Sequence, residues 1–333
     1  MNQSSGQVAT APRGGEAGGL RWLNSLRALG VTLVLVYHFF PSFLPGGFIG
    51  VDVFFVVSGY LITSLLVREF ERSGGLRMFD FFRRRWLRLF PAIVAMLLVS
   101  LPLSLLIPSD FRTDIARQTA AALSWTTNYY EIFTGQSYES QLLPHLFIHT
   151  WTLSVEMHYY LVWGAVTAFV IFIVRRAGRQ GGVAVRVAMM SVAAAFAVVS
   201  FFCMRSGAAR ASDPSVAYMS TLSHIFPLMI GSAFGCLYGF SPLVPSRKTA
   251  SARIAPSETQ GLPVKNTAVA ARIFKPASLI AVTTRIFKPA SLIAIAAGVA
   301  SIVFLSFEFS FRDPRVYQYG ILAVSLITAA ILC

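Results

Sequence analysis

Arg27 and His38 lie inside one apolar run, Leu26 to Phe40. Ionisable side chains within a run long enough to enter a bilayer are costly and mark function. Eleven residues at about 100° each turn through about 1100°, some 20° past three full turns, so both side chains occupy one helix face. The rise between them is about 16 Å, roughly half the hydrocarbon core. A guanidinium binds phosphate and an imidazole moves protons near neutral pH. That one face therefore offers anion binding at one level and general-base chemistry at another.

Other polar residues fall at matching depths. Asp52 follows the turn Pro45-Gly46-Gly47-Phe48-Ile49-Gly50 by two residues. It is expected about one helical turn inside the second apolar segment, level with His38, where a carboxylate orients an imidazole or raises its basicity. The alternative is a helix N-cap. In His149-Thr-Trp-Thr-Leu-Ser-Val-Glu-Met-His-Tyr-Tyr160, His149, Glu156 and Tyr160 share a face at i, i+7 and i+11. Trp151, Ser154 and His158 form the adjacent stripe. A buried Glu156 must be paired, protonated or in a wet cavity; an arginine partner and a catalytic cavity are both open. Arg83, Arg84, Arg85 and Arg88 precede the third apolar segment. Most of the cluster reads as an anchor reaching to lipid headgroups. The i, i+3 and i, i+4 relations of Arg85 and Arg84 to Arg88 let part of it face inward beside Arg27, to bind the phosphates of a cytosolic ligand.

The elements that must position these groups are membrane spans. Hydrophobic residues make up 55% of the chain and charged residues 13%, which excludes an ordinary soluble domain. We count about eight spans, near 23–41, 48–67, 89–107, 151–174, 187–204, 217–240, 289–307 and 316–333. The net charge of +14 is concentrated in 68–88, 175–186 and 241–288, which alternate with basic-poor connections. Positive-inside partition, not nucleic-acid binding, accounts for it and puts the N-terminus in the cytoplasm. The fold expected is an all-α polytopic helix bundle over 21–333 behind a disordered tail, 1–20. Ser58-Gly59 in the second span is expected to permit close helix packing. The basic loop 241–288 leads into a tandem repeat, Arg-Ile-Phe-Lys-Pro-Ala-Ser-Leu-Ile-Ala, at 272–281 and 285–294. Pro289, in the second copy, suits the first turn of the seventh span. The chain stops at Cys333 within an apolar run, which reads as C-terminal truncation. Cys203, Cys236 and Cys333 show no disulfide or metal spacing.

Arginines at the inner level and an imidazole with carboxylates further out suit a ligand with a phosphorylated head and a long reactive arm. At these residues the sequence resembles the acyltransferase family 3 of membrane proteins. The resemblance rests on Arg27-x10-His38, the block Gly47 to Thr63, the block Phe82 to Pro91, His149 to Glu156 with Tyr160, and the weaker Phe226 to Gly231. It implies O-acylation of a sugar, lipopolysaccharide, peptidoglycan or lipid-linked acceptor, with acyl-CoA, commonly acetyl-CoA, as donor and no metal, in the cell inner membrane among its lipids. The site so implied has His38 as base or acyl-relay residue, tuned by Asp52 or Glu156. Arg27, Arg84, Arg85 and Arg88 contact the donor. His149, Trp151, Ser154 and Tyr160 lie on the acceptor side. Two other readings stay open: a transporter using the same buried groups for proton relay, and a non-catalytic remnant. The 108–150 connection offers Trp125, Tyr129, Tyr130 and Tyr138, which suit sugar faces or the interfacial belt equally.

Overall fold

The computed structural model describes residues 14–138, 145–178, 182–238 and 276–332. The chain is an all-α polytopic bundle, with no strand among the described residues. Six helices are long and apolar enough to cross a membrane, and a shorter apolar unit spans Val316–Ile331. With α1 (Gly14–Phe39) they occupy all eight expected positions. α1 starts inside the stretch expected as tail, whose residues 1–13 lie outside the described residues, as does 239–275 of the basic loop.

The bundle is built around α2 (Gly50–Ser73), whose Val53, Phe55, Val56, Val57 and Ser58 are wholly buried. Glycine brings its neighbours into backbone contact. A Cβ on Gly50 would stand 2.2 Å from the Gly30 carbonyl oxygen of α1, and one on Gly59 would stand 2.0 Å from the Leu228 carbonyl oxygen. Ser58-Gly59 is thus a packing site, against α10 (Phe226–Tyr238). Only hydrogen fits between helices at that distance.

α3 (Met78–Leu103) and α6 (Trp151–Arg176) run antiparallel beside this core. Between them, the 108–150 connection folds back as two short helices, α4 (Ile115–Leu123) and α5 (Thr127–Phe133). At their junction Trp125 adopts a left-handed φ of 61° and packs on Trp86 of α3, with ring centroids 5.8 Å apart. Of the four aromatics expected on an outer loop, Trp125 and Tyr138 are buried, Tyr130 is half-buried and Tyr129 is exposed.

α7 (Gly182–Arg210) is tied in by Arg186. Its guanidinium donates to both carboxylate oxygens of Glu71 at 2.7 and 2.9 Å, and to the Cys236 carbonyl at 2.8 Å. This cation, counted on sequence among loop charges, clamps one end of α2, α7 and α10. The span expected as a single helix over 217–240 is broken into α8 (Ser215–Met219), α9 (Thr221–His224) and α10. Ser220 is extended, with ψ 129°, and ends α8; side chains take up the carbonyls this frees: Ser223 Oγ donates to Ala217 and His224 Nδ1 to Tyr218.

α11 (Pro276–Glu308) starts at the first repeat's proline rather than at Pro289. Each proline is suited to a helical first turn, and the upstream copy takes that place. α12 (Ile321–Ile331) follows a π-helical turn, Val316–Gly320.

Candidate active site

Gly30 against Gly50 sets how α1 and α2 face each other, and Phe54, one turn after Gly50, lies under α1. The Arg27 guanidinium stands over the Phe54 ring, 5.6 Å from its centroid. Phe54 also lines a cavity of about 210 Å³ together with His38, Val31, Val34, Gly30 and Gly50. Arg27, Val31, Val34 and His38 thus form one continuous face of α1 over Phe54. The far wall of the cavity comes from His149, Trp151, Thr152 and Leu153 at the start of α6, and from Tyr138. The His149 imidazole comes within electrostatic range of His38, and its Nε2 lies 3.1 Å from Met96 Sδ, a weak acceptor. Two imidazoles therefore meet at one small cavity.

A second cluster lies deeper along the same helices. Tyr160 donates its hydroxyl to Glu156 Oε1, one turn earlier on α6. The Arg85 guanidinium sits over the Tyr160 ring at 5.9 Å and the Phe81 ring at 5.7 Å. Arg27 and Arg85 both feel the charges of Arg88 and Glu156. Three guanidiniums thus share a single carboxylate. The Nε atoms of Arg27 and Arg85 are shielded and have no hydrogen-bond partner. Unsatisfied cationic donors around an aromatic floor have the chemistry to hold an anion such as phosphate. Arg84 is not part of it. It turns the other way to meet Glu69, with Nη2 to Oε2 at 3.4 Å.

Two further expectations are corrected. Asp52 does not meet His38. Its Oδ1 is 2.8 Å from His224 Nε2, with both residues wholly buried. The reason is helical phase: Asp52 is two residues, about 200°, round from Gly50, so it faces away from α1. Because His224 Nδ1 bonds the Tyr218 carbonyl, which only accepts, Nδ1 carries a proton. One further proton is then shared between Nε2 and Asp52, and the pair is neutral overall. Asp52 Oδ2 has no partner. Ser154 is committed within the protein: it accepts from the Thr127 N–H at 3.2 Å and donates to the Thr150 carbonyl at 3.3 Å, seating α5 on α6. Trp151 is buried and stacks on His224, with ring centroids 5.6 Å apart.

Sequence reasoning missed His224 and the pair Glu131–His145. Outside the spans, His145 Nδ1 lies 2.7 Å from Glu131 Oε2, with Glu131 wholly buried. Burial pushes the Glu131 carboxyl up to about 8 and holds His145 below its usual value. The carboxylic acid therefore donates to a neutral imidazole. For His224 the available signal was an isolated histidine three residues before Pro227 in an apolar run. Glu131 carried none, because its loop reads as solvated charge. Among the described residues, no three His, Cys, Asp or Glu side chains cluster to hold a metal ion.

Comparison with known families gives a match to the acyltransferase domain over residues 20–333. The chain belongs to that family. Among curated members of this acyltransferase family, the peptidoglycan O-acetyltransferase OatA of Listeria monocytogenes is 32% identical over 237 residues, covering 70% of this chain and 37% of its own length. The O-acetyltransferase OatA of Staphylococcus aureus is 36% identical over 149 residues, 45% of this chain and 25% of its own. The chain thus spans well under half the length of these relatives. No solved structure matches it.

Proposed function

We propose that this chain is an integral membrane O-acyltransferase that moves an acetyl group from acetyl-CoA to a hydroxyl of a cell-envelope glycan, peptidoglycan foremost. The observation that carries this reading is the continuous face from Arg27 to His38, running from a site with surplus positive charge to a cavity with two imidazoles. Arg27, Arg85 and Arg88 would hold the donor's phosphates, with Glu156 and Tyr160 fixing the guanidiniums around them. The thioester arm would then reach His38. There the imidazole takes the acceptor's hydroxyl proton, or carries the acyl group itself. In sum the thioester C–S bond breaks, an ester C–O bond forms, and the hydroxyl proton ends on the released CoA thiol. General-base help of this kind is worth roughly 10² to 10⁴ in rate.

Family membership supports the reaction class, and the names of the two relatives support the acetyl group and the glycan acceptor. Basic connections at the Arg-rich ends of the helices support a cytoplasmic N-terminus and a cytosolic donor. The test is acetylation of surface glycan, followed by mass spectrometry, in cells carrying wild-type chain, His38→Ala or Arg27→Ala. We expect wild-type-dependent acetylation that both substitutions reduce by about a hundred-fold. Undiminished acetylation in both variants refutes the reading.

A further inference from the structure

Resting on that reading, we propose that Trp151, clamped from behind by the Asp52–His224 pair, is the wall that limits the length of the acyl group accepted beside His38.

The indole has two neighbourhoods. One side closes the His38 cavity opposite α1, together with Tyr138. The other lies nearly parallel to the His224 ring, at 28° and 5.6 Å. That ring cannot retreat. Its Nε2 is held by Asp52 of α2 and its Nδ1 by the Tyr218 carbonyl, so both nitrogens are fixed in a wholly buried setting. Tyr218 and Phe55 pack on the remaining edges of Trp151, with centroids at 5.1 and 6.4 Å. Trp151 itself is 1% exposed, and such interiors are close-packed and yield little. An ordinary aliphatic wall would give way by a rotamer change. An indole pinned between four rings will not.

The space this leaves is small. A cavity of about 150 Å³ accommodates benzene, and the one here is about 210 Å³. The pocket is open along α1, where Val31 and Leu35 are exposed, and on the side that Trp151 closes it leaves room for two or three acyl carbons beside an imidazole and an acceptor hydroxyl. Discrimination by a fixed apolar wall grows with each added methylene, by about ten-fold or more.

The experiment measures CoA thiol release by the purified chain in lipid nanodiscs, with peptidoglycan as acceptor and acetyl-, propionyl-, butyryl- and hexanoyl-CoA as donors. The wild-type chain is expected to use hexanoyl-CoA at least about a hundred-fold less well than acetyl-CoA in kcat/KM. Trp151→Phe and Trp151→Leu should raise the hexanoyl-to-acetyl ratio by about ten-fold or more, with Leu above Phe. A wild-type chain that uses hexanoyl-CoA as readily as acetyl-CoA overturns the proposal, even if neither variant folds. So does an unchanged chain-length profile in a folded Trp151 variant. Absence of His38-dependent turnover with every donor instead overturns the acyltransferase reading beneath it.

Discussion

Replacing Asp52 by leucine and by asparagine separates two things a buried carboxylate can contribute. Leucine is similar in size and leaves His224 Nε2 without a partner in a wholly buried site. A buried acceptor left unsatisfied costs about 1–3 kcal/mol, and the lost carboxyl leaves its helices less tightly joined, against a total stability of roughly 5–15 kcal/mol. Asparagine behaves otherwise. Its amide N–H can donate to Nε2 while Nδ1–H stays on the Tyr218 carbonyl, so the neutral pair is replaced by a neutral hydrogen bond. The cost should be about 1 kcal/mol. At about 2–4 °C per kcal/mol, Asp52→Leu should lower the melting temperature by about 6 °C and Asp52→Asn by about 3 °C. Thermal scans of detergent-solubilised protein, read as the fraction staying monodisperse on size exclusion, give both values. If the two variants melt together, or Leu melts above Asn, the assignment of one shared proton between Asp52 and His224 is wrong.

Other outcomes follow from the same structure. Glu131 titrates at about 8 when folded against an ordinary 4.5, so the stability due to its protonated form is complete below about 4.5 and lost as pH rises through about 8. The protection factors of α5 amides, with the base catalysis of exchange divided out, should therefore fall between about pH 5 and 9, with Asp114, Arg117 and Tyr130 nearby, and Glu131→Gln should flatten that fall. Gly59→Ala and Gly231→Ala each drive a methyl into a carbonyl at 2.0 Å. Either should cost more than about 2 kcal/mol and sharply reduce the yield of folded protein on size exclusion. Arg85→Ala removes a shielded guanidinium and should raise the acetyl-CoA KM by about ten-fold or more. The loss from Arg84→Ala should be smaller, because that side chain is exposed and faces Glu69.

What could be read from the chain without a structure divides by geometry. Helix existence and depth follow from hydropathy and from about 1.5 Å per residue, so the levels of Arg27 and His38 were legible; Glu156 and Tyr160, expected further out beside His38 and the acceptor, instead lie with Arg27 and Arg85. Facing depends on phase relative to a neighbour. Arg84 and Arg85 differ by one residue and about 100°, which sends one to Glu69 and the other to Tyr160. For Asp52 the phase was in principle available: once Gly50 is taken as the contact with α1, Phe54 must lie toward α1 and Asp52 away. The α8–α10 break was not legible, because an apolar run hides a backbone that hands its carbonyls to Ser223 and His224. The hairpin of α4 and α5 was hidden for the opposite reason. Its polar residues look solvated until Thr127, Asn128 and Glu131 are seen to be wholly buried.

The contact of Gly30 with Gly50 has a mechanical consequence. Two backbones touching without side chains between them can neither slide nor roll past one another without collision. The first helix is thereby locked against its neighbour, and the gauge that its own rise sets between Arg27 and His38 is held at one angle to Phe54 and to the start of α6. On the proposed reading, a donor whose anionic end and reactive carbonyl match that gauge is aligned on arrival, whereas one longer or shorter finds no give in the protein. Widening the contact by a single methyl, as in Gly30→Ala, should spoil alignment before it spoils binding.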